Sequence, residues 1–401
     1  MKSEYELLAP AGDFATLVTA LNTGADAVYI GLKEFSMRAG AKNFSLNDLT
    51  KLQKIKSSYL NKPKIYLTLN TIIYDHEIPN VEKILQKVKK SKSIDAIICW
   101  DFSIISLCKK YKIPFFISTQ ASVSNSESAK FFKKLGAKRI VLARELDLKQ
   151  IKEISKIKNL EIECFCHGAM CVAISGRCFT SQFLFNKSAN RGQCLHPCRR
   201  SYSSYKIKDQ QEGYELELEN NKVLSAKDLC TLPFIEKLKS VGIKCFKIEG
   251  RNRDPRYVDV VVRAYRKALD KKLSKKETNQ LVEDLAKVYN REFSSGFYLG
   301  LPTPDDFARV EHSASKEKKH FVGKITNYYK KINVATLKLS SKISLGDEIV
   351  VIGNKTGILN YKINSLQEKY KEIKNANKGQ EVGIKIPLVR KNDQVYKINK
   401  N

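Results

Sequence analysis

The chain has 401 residues and carries 72 Lys and Arg against 42 Asp and Glu, a formal net charge of +30. That length buries a large core and calls for more than one domain. No apolar run reaches the roughly 18 residues of a membrane-spanning helix, so membrane insertion is excluded as an expectation. The opening segment MKSEYELLAPAG shows no charged-then-apolar signal pattern, so a cytoplasmic location is expected. Disulfides are disfavoured there, and the ten cysteines are expected as free thiols or ligands. The charge makes nucleic acid the first partner to consider, because Lys and Arg displace counterions from phosphates. The excess is mostly Lys beside much Asn and Ile, which an AT-rich genome produces unaided. Arginine is more informative: seven of fifteen lie in two short stretches, Arg177, Arg191, Arg199 and Arg200, then Arg251, Arg253 and Arg256.

In chain order, eight apolar β-type runs recur: Tyr5–Ala9, Ala27–Gly31, Lys64–Asn70, Ala96–Asp101, Pro114–Gln120, Arg139–Arg144, Leu160–Cys166 and Lys244–Glu249. Each is short enough for a buried strand. Between them lie segments such as DFATLVTALNTGA, with apolar residues three and four apart. Gly24, Gly136 and Gly242 stand where helices end. Strand–helix alternation of this kind predicts a (β/α)8 barrel, with a doubly wound sheet as the runner-up. In such a barrel the site lies at the C-terminal strand ends. Those ends carry Asn70, Gln120, His167, Glu249 and Arg251, which outline a polar mouth.

After the seventh strand comes a cysteine-rich insertion of roughly sixty residues, long enough to expect a functional loop. Tyr202–Lys208 and Tyr214–Glu219 alternate within it like a small hairpin, and a helix is expected over Asp228–Val241. Further helices are expected at Tyr257–Lys271 and Lys276–Phe293. From about His320 short β-runs predict a small all-β barrel rich in Lys and Tyr, a type that often binds RNA. The expected division is residues 1–315 for the main barrel and 316–401 for the β-barrel domain.

Six of the ten cysteines fall in one stretch: Cys164, Cys166, Cys171, Cys178, Cys194 and Cys198. Cys164 and Cys166 share a strand face and suit core packing. Six residues separate Cys171 from Cys178, fifteen separate Cys178 from Cys194, and three separate Cys194 from Cys198. Only the last spacing suits a zinc finger. Iron–sulfur, zinc and plain thiols all stay open on spacing alone. No HExxH or GxSxG motif is present to support conventional hydrolysis. Cys171 with His167 keeps a cysteine peptidase open, because thiol proteases need that contact.

The run Glu163-Cys164-Phe165-Cys166-His167-Gly168-Ala169-Met170-Cys171, continuing to Arg177-Cys178, resembles the signature of the collagenase-like peptidase family U32. Leu8-Ala9-Pro10-Ala11-Gly12, the Gly31 region with Phe35, Arg38 and Phe44, Ser225-Ala226-Lys227-Asp228-Leu229 and Lys247-Ile248-Glu249-Gly250-Arg251 match its other motifs. Despite the name, the resemblance implies prephenate-dependent RNA hydroxylation, either at the wobble uridine of tRNA or at a cytidine of 23S rRNA. It implies a 4Fe-4S cluster on Cys171, Cys178, Cys194 and Cys198, with Cys230 a rival for the fourth place. It further implies prephenate as co-substrate and a paralogous protein as a possible partner. Prephenate is a dicarboxylate, and Arg177, Arg251 and Arg253 offer forks for it, with Gln120 and Asn70 beside them. His167 or Glu249 is expected to move protons. A U32-type peptidase is the alternative enzyme, and an RNA-binding factor with a structural cluster the non-enzymatic one. Arg199-Arg200 departs from the family's usual Arg-aromatic pair after the last cysteine.

Overall fold

The computed structural model describes residues 4–174, 176–200, 207–208, 210–213, 215–216, 224–310 and 312–401. Eight parallel strands close into a barrel: β1 Glu6–Pro10, β2 Ala27–Gly31, β3 Lys64–Thr68, β4 Ala96–Cys99, β5 Phe115–Ile117, β6 Arg139–Val141, β7 Glu161–Gly168 and β8 Cys245–Ile248. Neighbours pair in chain order from β1 to β7. β8 then closes the ring, with Cys245 opposite Glu163 of β7 and Glu6 of β1. The strands are buried on both faces, which is why they read as continuous apolar runs.

Helices α1 Phe14–Asn22, α2 Leu49–Ser58, α3 Ile78–Ser91, α4 Phe102–Lys110, α5 Ser126–Lys134 and α6 Leu148–Ser155 follow β1 to β6. Asp13, Asp101, Asn125 and Asp147 start four of them by accepting a backbone N–H in the first turn. No helix among the described residues is long and apolar enough to cross a membrane.

The insertion after β7 contains α7 Thr180–Phe185. Ile207–Lys208 pairs antiparallel with Glu215–Leu216, within the expected hairpin; the rest of those two runs lies outside the described residues. The helix expected over Asp228–Val241 is shorter. Asp228–Cys230 is instead a strand, antiparallel to the end of β7, with Cys230 opposite His167. Pro233 explains the difference, because its ring would strike the carbonyl of Leu229 in a helix running through it. A 3-10 turn spans Leu232–Phe234, and α8 occupies Ile235–Ser240. α9 Pro255–Asp270 and α10 Lys275–Ala286 follow β8.

Inside the barrel, Leu8, Tyr29, Tyr66, Ile98, Phe116 and Cys245 form a compact cluster. Charges lie buried beside it. Glu163 is wholly inaccessible and sits 2.7 Å from Lys247 Nζ and 3.2 Å from Arg139 Nη1. Arg139 also holds Glu6 at 2.6 Å, and its guanidinium lies 4.5 Å from the Phe116 ring centre. Burial pushes the Glu163 carboxyl up, but Lys247 and Arg139 outweigh it and hold the carboxyl below its ordinary value.

The C-terminal unit is antiparallel and all-β. Its main strands are β9 Glu317–Tyr329, β10 Val334–Leu339, β11 Glu348–Gly353, β12 Gly357–Lys362, β13 Glu381–Lys385 and β14 Gln394–Lys400, in the order β12-β11-β14-β9-β10-β13. It has its own core, including Val322, Leu337, Ile349, Val351 and Ile384. It docks on α1 and α9. Gly357, at φ +69°, brings β12 so close to α1 that a Cβ there would lie 3.0 Å from Thr19 N. Asn360 Nδ2 donates to Asp259 Oδ2 at 2.9 Å, and Lys319 pairs with Asp254 at 2.6 Å.

Candidate functional site

Two loops build the site above the C-terminal strand ends. One follows β2 and carries Ser36 to Gly40. The other is the insertion after β7. They interlock through backbone and glycine. Ala39 N donates to Gly192 O at 3.2 Å. Gly192 sits at φ +87°, and a Cβ there would lie 2.3 Å from Ser36 O. Arg191 clamps the insertion from outside, donating to Ile72 O at 2.6 Å and to Glu77 Oε2 at 2.8 Å. Arg199 Nη2 donates to Met170 O at 2.9 Å and ties the two ends of the cysteine segment together.

Between these loops lies a cavity of about 850 Å³. Cys171, Cys178, Cys194 and Cys198 all line it. Cys178 Sγ lies 3.2 Å from Thr180 Oγ1, and Ser181 Oγ lies 4.0 Å from Cys194 Sγ, so α7 holds both. Burial pushes the Cys198 thiol up, outweighing Arg199, which pulls it down, while the neighbouring Cys171 and Cys194 add to the rise. No disulfide joins any of the ten cysteines. Among the described residues, no three Cys, His, Asp or Glu side chains already stand in metal-holding geometry. The donor set is four soft thiols facing one space, which suits iron–sulfur or zinc. Cys230 is not on this wall. It is buried in the strand beside β7, where Tyr265 Oη lies 3.9 Å from its Sγ.

Ionic groups line the same cavity. Glu249, at the end of β8, sits 3.3 Å from Arg38 Nη2. Burial raises the Glu249 pKa, but Arg38, Arg253, Arg144 and Arg199 together overcome it and keep the carboxylate ionised. Arg253 lies over the Tyr289 ring at 3.5 Å. His196 also lines the cavity, in a left-handed backbone conformation at φ 53°. Burial, then the Arg199 and Arg38 charges, push its imidazole down to about 4.

Other residues singled out from the sequence take places off this wall. His167 is buried in an aromatic box of Tyr257, Tyr265 and Phe293. Burial brings its pKa down to about 3, so it is neutral. Its carbonyl accepts from Glu249 N at 2.9 Å, which places the carboxylate-bearing strand end. Arg251 turns under the mouth and donates to Ser36 Oγ at 2.5 Å and Thr68 Oγ1 at 2.9 Å. Gly31 makes the room, since a Cβ there would lie 2.0 Å from Arg251 Nη1. Asn70 Oδ1 accepts from Met37 N at 3.2 Å, and Gln120 is buried against Ser118. Arg177 lies on the Trp100 ring at 4.9 Å, exposed. Of the five residues assigned to substrate, Arg253 alone lines the cavity. Arg38, Arg199 and His196 line it without having been assigned to it. Arg38 had a signal, since it stands in a loop after a barrel strand.

The two neighbouring arginines should separate in experiment. Arg251→Ala is expected to cost about 3 kcal/mol or more, because two bonds from a buried charge disappear. Arg253→Ala should cost less than about 1 kcal/mol. Urea denaturation of both variants checks this, and equal losses would contradict it.

The chain matches Peptidase family U32 over residues 12–307. It is 43% identical to an uncharacterized protease of Methanocaldococcus jannaschii, covering 98% of this chain and 97% of that one. It is 36% identical to a collagenase of Porphyromonas gingivalis, covering 99% of both. It is 35% identical to tRNA hydroxylation protein P1 of Bacillus subtilis, covering 87% of this chain and 83% of that one.

Proposed function

The chain belongs to peptidase family U32, and from that premise we propose that it is an RNA-hydroxylating enzyme whose target is the wobble uridine of tRNA. The observation that carries this reading is the cavity itself: four thiols and an arginine-surrounded carboxylate line one space. Cys171, Cys178, Cys194 and Cys198 would hold a 4Fe-4S cluster, which supplies one-electron chemistry when bound. Arg38, Arg199 and Arg253 would receive the carboxylates of prephenate, because guanidinium forks match carboxylate geometry. Glu249 is held ionised, so it accepts a proton rather than donating one. His167, neutral and boxed in, positions Glu249 through the backbone.

A peptidase is the second reading, favoured by the full-length likeness to the collagenase. It requires a thiol activated by an imidazole. His167 faces aromatic rings and Tyr265, and among the described residues no Cys–His hydrogen bond occurs.

The deciding experiment is mass spectrometry of tRNA nucleosides from a strain lacking the gene. Hydroxylated uridine should disappear and return when the gene is restored. An unchanged tRNA profile would overturn the assignment.

A further inference from the structure

The thiol cavity adjoins a second space. A cleft of about 860 Å³ runs between the barrel mouth and the C-terminal sheet. Gly40, Asn252 and Arg253 line both, so the two are immediate neighbours. The cleft is cationic on both sides. Lys42 and Arg253 come from the barrel, and Lys319, Lys355, Arg390 and Lys391 from the C-terminal unit.

Its three acids are already engaged. Asp13 caps α1 by accepting from Thr16 N at 2.9 Å, and holds Lys42 at 2.9 Å. Asp254 caps α9 through Tyr257 N at 3.0 Å and holds Lys319 at 2.6 Å. Asp393 is buried and accepts from Thr356 Oγ1 at 2.5 Å and Arg390 N at 2.8 Å. The two helix N-termini in the cleft are therefore neutralised by their own caps. The open positive charge lies on Lys355 and Lys391, exposed and without an ion-pair partner among the described residues.

We propose that this interdomain cleft is a track for the phosphate backbone of RNA, delivering a target nucleotide to the thiol cavity. The proposal rests on the hydroxylation reading and adds its RNA-binding surface. Unpaired lysines on flexible stems are point charges that follow a regularly charged backbone without reading sequence. Arg253, shared by the two linings, places the end of that track beside the cavity of Glu249 and the cysteines.

The test uses the full-length protein and a fluorescently labelled tRNA transcript, titrated over a range of salt. Lys355→Gln with Lys391→Gln should weaken binding on the order of tenfold at low salt and lower the slope of log K against log salt by about 2. The control is Lys134→Gln with Lys158→Gln. It removes the same charge from exposed positions just before β6 and β7, at the far end of the barrel. It should leave affinity and slope unchanged. Equal weakening in both variants would reveal only diffuse attraction and overturn the track. So would wild-type binding by the cleft variant, or a cleft that takes polyglutamate as tightly as RNA. Failure here leaves the nucleoside result untouched, so the track and the reaction are judged separately.

Discussion

Cys171→Ser is expected to abolish the iron chromophore and the hydroxylated nucleoside together, while the metal-free protein keeps its stability within about 0.5 kcal/mol. Cys171 is exposed at the cavity rim, so its sulfur contributes little to packing. A four-thiolate cluster has no substitute for it. Oxygen-protected wild-type protein should hold about four iron and four sulfide per chain. Serine at Cys178, Cys194 or Cys198 should behave as at Cys171. Cys230→Ser should retain iron, because its thiol is buried between β7 and Tyr265 and does not reach the cavity. Iron retained in all four rim variants would refute the ligand set. Iron lost with Cys230 and kept with Cys198 would move the fourth ligand. Unfolding of every rim variant would make the cluster a structural part.

Glu163→Ala is expected to destabilise the protein by about 3–5 kcal/mol, because it leaves Lys247 as an uncompensated buried charge and takes one of the three carboxylates from Arg139, which keeps Glu6 and Glu161. The same carboxyl predicts a pH effect. Its folded pKa lies below the ordinary value of 4.5, with burial opposing and the two cations prevailing. The stabilisation is therefore complete above the unfolded pKa and is lost as pH falls through the folded one. Urea midpoints should decline below about pH 4.5 in the wild type and decline less steeply in Glu163→Gln. Parallel profiles would show that Glu163 does not set acid stability. Since this cluster lies inside the barrel, away from the thiols, such variants should lose stability without changing which nucleoside is modified.

Much of this architecture was legible in the chain. Parallel strands covered on both faces must be apolar throughout, so eight runs such as Ala27–Gly31 stand out, and all eight form the barrel. The four cysteines of the insertion could be singled out because thiols crowd there beyond any packing need. Local reading misjudged Asp228–Cys230, where pairing with β7 and the bar at Pro233 override a helical pattern.

The sequence by itself determined the barrel, the all-β appendage and the cysteine inventory, because burial periodicity and composition are local properties. Tertiary structure decided which polar groups face the cavity. Arg251 and Arg253 stand two residues apart and look alike in the chain. Gly31 and the hydroxyls of Ser36 and Thr68, all distant in sequence, draw Arg251 beneath the mouth. Tyr289 and Glu249 keep Arg253 on the wall. His167 was likewise decided by three rings from later segments, which enclose it and remove its charge. Side-chain direction at a strand end depends on the space its neighbours leave, and that space exists only once the barrel has closed.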